Sequence, residues 1–215
     1  MKRPELRGLY AITDSQLTPP ESMLVQVKNA LDGGARMIQY RDKGSDSPLR
    51  RSQAADLVRL CHLAGVPLII NDDVDLALTV AADGVHLGRD DPQLKSCRER
   101  LGPKAIIGVS CYNDFDRALQ AQHDGADYIA FGRFFVSNTK PNAVQADIRL
   151  LQRARRELNI PAVAIGGITP ENGAALVAAG ADMLAVIHAL FGQPDIHEAC
   201  QHFARLFVVT GESST

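Results

Sequence analysis

A closed (β/α)8 barrel, the TIM-barrel fold, is what this sequence predicts, and three observations predict it. Eight short apolar runs alternate with segments of helical patterning along the whole chain. The phrases Asp32-Gly33-Gly34-Ala35, Ala81-Ala82-Asp83-Gly84, Asp124-Gly125-Ala126-Asp127 and Ala179-Gly180-Ala181-Asp182 recur just before every second run. Glycine there ends a helix, and small residues let that helix pack closely on the next strand. Polar residues follow the runs at their carboxyl ends, where parallel α/β sheets bind ligands.

The elements follow in order. The first strand is Leu9–Ile12, ending in Thr13-Asp14, and its helix runs from about Glu21 to Leu31, stopped by Gly33-Gly34. The second strand, Met37–Tyr40, ends in Arg41-Asp42-Lys43 and leads to a helix from about Pro48 to Leu63. The third, Leu68–Ile70, ends in Asn71-Asp72-Asp73, and an amphipathic helix leads to the fourth, Gly84–Leu87, ending in Gly88-Arg89-Asp90-Asp91. A helix near Pro92–Leu101 precedes the fifth strand, Ile106–Val109, which ends in Ser110, and a helix near Phe115–His123 precedes the sixth, Tyr128–Phe131. A long loop over 132–142 and a helix to about Leu158 lead to the seventh strand, Ala162–Ile165, ending in Gly166-Gly167. A helix over Pro170–Ala178, an eighth strand over Met183–Ile187 and a last helix near Ile196–Phe207 complete the series.

The 215 residues read as a single domain over 1–215, with a frayed C-terminal tail at about 210–215. Hydrophobic residues make up 46%, enough for a sizeable core, and a net charge of −2 gives no sign of affinity for nucleic acid or membranes. No apolar run approaches the roughly 20 residues needed to span a bilayer, and no signal peptide is expected at Met1-Lys2-Arg3-Pro4-Glu5, which no apolar run follows. Cys61, Cys97, Cys111 and Cys200 are widely spaced, with no C-x-x-C pair, which fits reduced thiols and a cytoplasmic location.

Asp72 and Asp91 lie roughly twenty residues apart in sequence, at the ends of two strands that a βαβ unit makes parallel neighbours. Two facing carboxylates repel unless a cation lies between them, and hard oxygen ligands suit Mg²⁺. The alternative is that these aspartates cap the following helices, the preferred reading for Asp73 and Asp90. Gln39, Arg41 and Lys43 alternate along the second strand and are expected to share a face, where they suit a polyanion such as pyrophosphate. Asp42 between them leaves open a solvated charge cluster. Lys140, within Ser137-Asn138-Thr139-Lys140-Pro141 of the long loop, suits phosphate, although the segment also reads as a plain polar loop. Gly167 and the turn Ile187-His188 lie after the last two strands, where barrels often bind phosphate. His188 is either a phosphate contact or a structural residue. His197 and His202 show no metal-ligand pattern, and there is no nucleophilic triad or glycine-rich phosphate loop. A metal site, a polycation site and a separate phosphate site at one barrel mouth suit a reaction joining a diphosphate to a second phosphorylated substrate.

The pieces Leu9-Tyr10-Ala11-Ile12-Thr13-Asp14, Gln39-Tyr40-Arg41-Asp42-Lys43, Ile70-Asn71-Asp72, His86-Leu87-Gly88-Arg89-Asp90-Asp91, Gly108-Val109-Ser110, Thr139-Lys140-Pro141 and Ile165-Gly166-Gly167-Ile168, in this order, resemble the thiamine phosphate synthase (thiamine phosphate pyrophosphorylase) family. That resemblance implies a transferase that joins 4-amino-5-hydroxymethyl-2-methylpyrimidine diphosphate to 4-methyl-5-(2-phosphoethyl)thiazole, giving thiamine phosphate and pyrophosphate. It implies one Mg²⁺ held by Asp72 and Asp91, and small-molecule partners only. It assigns Gln39, Tyr40, Arg41, Asp42, Lys43, Asn71, Ser110 and Lys140 to the pyrimidine diphosphate, with Arg41, Lys43, Ser110 and Lys140 in catalysis. Ser137, Asn138, Thr139, Gly167, Ile187 and His188 fall to the thiazole phosphate. Ser137 stands where the family commonly has threonine, which keeps a hydroxyl, and His188 stands where it often has serine. A thiazole tautomerase or a non-catalytic phosphate-binding barrel is the alternative; the retention of Arg41, Lys43, Asp72, Asp91 and Lys140 together argues against both.

Overall fold

Eight parallel strands close on themselves in sequence order, β1 pairing with β8, and helices pack around the outside. The computed structural model describes residues 5–44, 47–89, 91, 93–136 and 145–208. The first half comprises β1 (Gly8–Ile12), α1 (Met23–Asp32), β2 (Met37–Tyr40), α2 (Ser47–Leu63), β3 (Leu68–Asn71), α3 (Val74–Val80), β4 (Gly84–Leu87) and α4 (Leu94–Leu101). The second half comprises β5 (Ile106–Tyr112), α5 (Phe115–His123), β6 (Tyr128–Gly132), α6 (Arg149–Glu157), β7 (Ala162–Ile165), α7 (Pro170–Ala179), β8 (Met183–Val186), α8 (His188–Phe191) and α9 (Ile196–Arg205). Expected and observed bounds agree within a residue or two for most elements. Three differences matter. The fifth strand continues through Ser110 to Tyr112, with a register shift against β6 at Ser110/Tyr112. The short helix α8 begins at His188, where only a turn was expected. The sixth helix starts at Arg149, so the connection after β6 is longer than anticipated. The expected tail at 210–215 lies outside the described residues.

Strand periodicity divides the core in two. Leu9, Ile38, Tyr40, Ile70, Val85, Leu87, Ile107, Val109, Ile129 and Phe131 face the helices and belong to the outer core. Tyr10, Ile12, Met37, Ile69, Ile106, Tyr128, Ala130, Val163, Met183 and Ala185 fill the barrel interior. Space inside is limited, and Gly108 is where it shows most clearly. A Cβ there would lie 1.9 Å from Cζ of Tyr128, so the absence of a side chain makes room for the Tyr128 ring.

The recurring aspartates of the pre-strand phrases have a structural task. Asp83, Asp127 and Asp182 each accept the backbone N–H that opens or nearly opens the preceding strand, Leu68, Ile107 and Ala162, each at 2.8 Å. Their own N–H groups donate back to the carbonyls of the same three residues at 3.0, 2.8 and 2.8 Å. Arg36 occupies this position before β2, and its N–H donates to Leu9 O at 2.8 Å. These clasps lie at the amino ends of the strands, opposite the mouth. Arg98 joins the one at β5/β6, with its guanidinium 2.5 Å from Asp127 Oδ2. Among the described residues, no helix is long and apolar enough to cross a membrane.

Candidate active site

The carboxyl ends of the strands surround a cavity of about 340 Å³. Tyr10 and Ile12 of β1, Gln39 of β2 with Arg41 just beyond it, Asn71, His86 and Ser110 line one side. Gly166, Gly167, Ile187 and His188 line the other. A second depression, lined by Asp42, Lys43, Arg50, Asn71, Asp72, Asp73 and Arg100, lies alongside. Asn71 borders both.

Inward-facing positions place Gln39 in the first cavity, and the chain beyond β2 carries Arg41 there too. Thr13, almost fully buried, fixes this end of β2: its hydroxyl accepts from Arg41 N at 2.9 Å. The Arg41 guanidinium lies 3.6 Å from Asp14. The expected common face does not extend to Lys43, because the strand ends at Tyr40 and alternation ends with it. Lys43 instead lines the second depression beside Asp72. Tyr40 is not brought to the mouth: its side chain faces the helices, 2% exposed, and its hydroxyl donates to Gln53 Oε1 at 2.6 Å. Asp42 accepts from Gly44 N at 2.8 Å, closing a tight turn at the edge of the second depression.

Asp72 and Asp91 do meet. Asp72 sits in the left-handed region at φ 63°, which aspartate and asparagine tolerate better than most residues. Its N–H donates to His86 O at 2.9 Å, and Asn71 Nδ2 donates to its carboxylate at 2.5 Å. Asp91 reaches back to accept from Gly88 N. Burial, then the hydrogen bond and charge of Asp91, push the Asp72 carboxyl up to about 6, against the opposing pull of Asn71 and Lys43. An acid pair under that electrostatic load is a fitting donor set for a hard divalent cation. No group of three or more His, Cys, Asp or Glu suited to a metal occurs among the described residues; the pair would leave the remaining positions to water and substrate. Asp73 is the N-cap of α3, accepting from Leu76 N at 2.9 Å, and pairs with Arg50 at 3.2 Å. Asp90 lies outside the described residues, as do Ser137, Asn138, Thr139, Lys140 and Pro141.

Gly166 and Gly167 both have positive φ, 103° and 64°. Gly167, expected at the phosphate corner of the barrel, also has a packing role. A Cβ on Gly167 would meet Val136 O at 2.3 Å and the Phe135 backbone at 2.9 Å. The glycine therefore admits the chain that leads into residues 137–144, while the residue itself still lines the cavity. Ile187 is the N-cap of α8 and His188 its first residue, both at the cavity wall.

Several site residues were not anticipated. Gln39 Nε2 donates to Tyr10 Oη at 2.5 Å, and Tyr10 Oη lies 2.9 Å from Tyr128 Oη. Tyr128 Oη lies 2.9 Å from His86 Nδ1, and His86 Nε2 lies 2.8 Å from Ser110 Oγ. These partners come from five different strands, so no local pattern announces them; the one clue was that His86 occupies an inward position between the outward Val85 and Leu87. Arg117 was also missed. It donates to Ser110 O at 2.8 Å and Gly88 O at 2.9 Å, tying the ends of β5 and β4 together.

The family model described as thiamine monophosphate synthase matches residues 9–190. A thiamine-phosphate synthase of Nitrosococcus oceani is 52% identical over 202 residues, covering 92% of this chain and 93% of that protein. One of Thiobacillus denitrificans is 50% identical over 205 residues, covering 95% and 97%. Among solved structures, a thiamine phosphate pyrophosphorylase from Pyrococcus furiosus superposes with a TM-score of 0.85 at 33% identity, covering 95% of this chain and 97% of that one. An orotidine 5'-phosphate decarboxylase from Pyrococcus horikoshii, at 16% identity and a TM-score of 0.66, shares the barrel fold alone. Barrel, mouth and sequence agree, and the chain belongs to the thiamine monophosphate synthase family.

Proposed function

We propose that this barrel joins 4-amino-5-hydroxymethyl-2-methylpyrimidine diphosphate to 4-methyl-5-(2-phosphoethyl)thiazole, releasing pyrophosphate and forming thiamine phosphate. The observation that carries the site assignment is the meeting of Asp72 with Asp91 beside Lys43, one residue from the Asn71 that borders the main cavity. The pyrimidine ring lies in the main cavity over Gln39 and Ser110. Its diphosphate extends past Asn71 and Arg41 toward Lys43 and the acid pair, with Lys140 as a further cation. Mg²⁺ held by Asp72 and Asp91 would neutralise charge on the departing diphosphate.

The bond between the pyrimidine methylene carbon and the diphosphate oxygen breaks, and the aminopyrimidine delocalises the resulting positive charge. The thiazole nitrogen then attacks that carbon. No proton has to be removed, so the site needs no general base. Arg41, Lys43 and Lys140 stabilise the leaving group, and the cavity walls hold the two rings in line. Gly167, Ile187 and His188, with Ser137, Asn138 and Thr139, take the thiazole phosphate.

The test is to incubate the purified protein with both substrates and Mg²⁺ and to measure thiamine phosphate and pyrophosphate. EDTA is expected to abolish turnover and added Mg²⁺ to restore it. Asp72→Asn and Asp91→Asn each remove one carboxylate and are expected to cut turnover without loss of fold, since asparagine tolerates the Asp72 backbone conformation. Full turnover in EDTA refutes the metal assignment, and no thiamine phosphate under any condition refutes the function.

A further inference from the structure

The chain of hydrogen bonds under the cavity has a direction. Gln39 donates an amide N–H to Tyr10 Oη. Tyr10 Oη next meets Tyr128 Oη, where either hydroxyl could donate; the arrangement that gives the buried Tyr10 proton an acceptor places it between them. The Tyr128 proton is then left for His86 Nδ1. With Nδ1 accepting, a neutral imidazole carries its proton on Nε2 and donates it to Ser110 Oγ. The Ser110 proton is thereby directed away from His86. Burial pushes both phenols above their ordinary pKa, so both keep the protons that the chain requires. Tyr10 and Tyr128 are 1% and 0% exposed, and their rings pack edge to face at 5.9 Å. Tyr128 also stacks on His86 at 5.6 Å.

We propose that Tyr10, Tyr128 and His86 are positioning residues that lock His86 as its Nε2–H tautomer and so set the hydrogen-bond polarity of the cavity floor, Ser110 donating and the Gln39 amide oxygen accepting. The ligand that fits this polarity is a heteroaromatic ring with a lone-pair nitrogen toward Ser110 and an exocyclic amino group toward Gln39. A 4-aminopyrimidine has both. Its 4-oxo counterpart, with a ring N–H and a carbonyl, presents the opposite polarity at that edge. The inference rests on the pyrimidine placement proposed above. It assigns discrimination between amino- and oxopyrimidines to three residues that need not touch the substrate.

Two measurements test it. Heteronuclear NMR on protein with ¹⁵N-labelled histidine, with His86 assigned by difference from His86→Gln, reads the tautomer directly. The Nε2–H form is expected, and the Nδ1–H form overturns the proposal. Binding of the 4-amino and 4-oxo pyrimidine diphosphates is then compared by calorimetry, with Mg²⁺ and without the thiazole. Binding is used because the amino group also feeds the reacting carbon and would bias turnover. Wild-type protein is expected to prefer the amino ligand by about 10⁴-fold, the lower end for sites built to hydrogen-bond a ligand group. Tyr128→Phe and His86→Phe are each expected to reduce that preference by about tenfold, the scale of one hydrogen bond. Binding of inorganic pyrophosphate should stay unchanged in both, which a generally loosened barrel would not show. His86→Gln, whose amide can still donate toward Ser110, is expected to recover part of the preference. Unaltered preference in Tyr128→Phe and His86→Phe overturns the proposal. Failure of the underlying placement looks different, because wild-type protein would then bind the two pyrimidine diphosphates alike, through the diphosphate alone.

Discussion

Replacing Gly108 by alanine adds one methyl group in the most crowded part of the barrel. The new Cβ would stand 1.9 Å from Tyr128 Cζ and 2.4 Å from both Cε atoms. In an open strand the same change would be mildly stabilising, because glycine costs about 0.5–1 kcal/mol relative to alanine. Here the steric term dominates. The Tyr128 ring cannot retreat without giving up its hydrogen bonds to Tyr10 and His86, both 2.9 Å. Overpacking costs about 1–3 kcal/mol, and two buried hydrogen bonds add about 1 kcal/mol each, for a loss of about 3–5 kcal/mol. In a chain of this size each kcal/mol lowers Tm by about 2–4 °C, so a fall of about 6–20 °C is expected by scanning calorimetry. Urea denaturation of the double mutant Gly108→Ala/Tyr128→Ala supplies the control. With the ring gone, the methyl costs nothing, and the two changes should be non-additive by about 3 kcal/mol. Additive effects, or a Gly108→Ala protein melting within a degree of wild type, would refute the reasoning.

Three further outcomes follow from the site. Lys140→Ala should lower kcat by about 10²–10³, the usual loss for one preorganised charge contact on a leaving group; a rise in KM alone, seen in steady-state assays, would make Lys140 a ground-state contact only. His188→Ser should change the KM for thiazole phosphate little, whereas Gly167→Val should raise it sharply and also lower Tm, because its branched side chain would collide with the 135–136 backbone. Kinetics and melting of the two variants separate these effects. Burial pushes the thiols of Cys61, Cys111 and Cys200 up to about 12, so they stay protonated at pH 8 and should resist a thiol-specific reagent until denaturant is added. Rapid labelling of the native protein at pH 8 would contradict their burial.

The architecture was legible in the sequence because a barrel repeats its instructions. β2, β4, α5 and β7 begin and end where the patterning indicates; β4, α5 and β7 are each bounded by glycine, aspartate or proline, and β2 by two arginines. The acid pair was legible because parallel neighbouring strands bring their ends together regardless of what lies between. Tyr40 shows the limit of a motif read as a block: Gln39 and Arg41 reach the cavity, while the residue between them is turned to the helices by strand alternation. The tyrosine–histidine chain was not legible. His86 and Tyr128 are far apart in sequence, and only barrel closure sets the distance between their side chains. Gly167 was placed at the phosphate corner from its position after β7, but its contact with Phe135 and Val136 joins two separate loops and left no mark in the sequence.

The aspartate clasps at the amino ends of the strands divide the barrel into couples. Asp83, Asp127 and Asp182 bind β3 to β4, β5 to β6 and β7 to β8. β1 and β2 have Arg36 in the corresponding place, and an arginine has no acceptor to offer a strand N–H. Local opening therefore has a preferred seam. Among the described residues the first couple shows only the main-chain bond from Arg36 there, whereas each of the other three must also release a carboxylate before its strands part. Of the four couples, the one beside Arg36 should part first, and the amides of Leu68, Ile107 and Ala162 should be among the last to exchange with solvent.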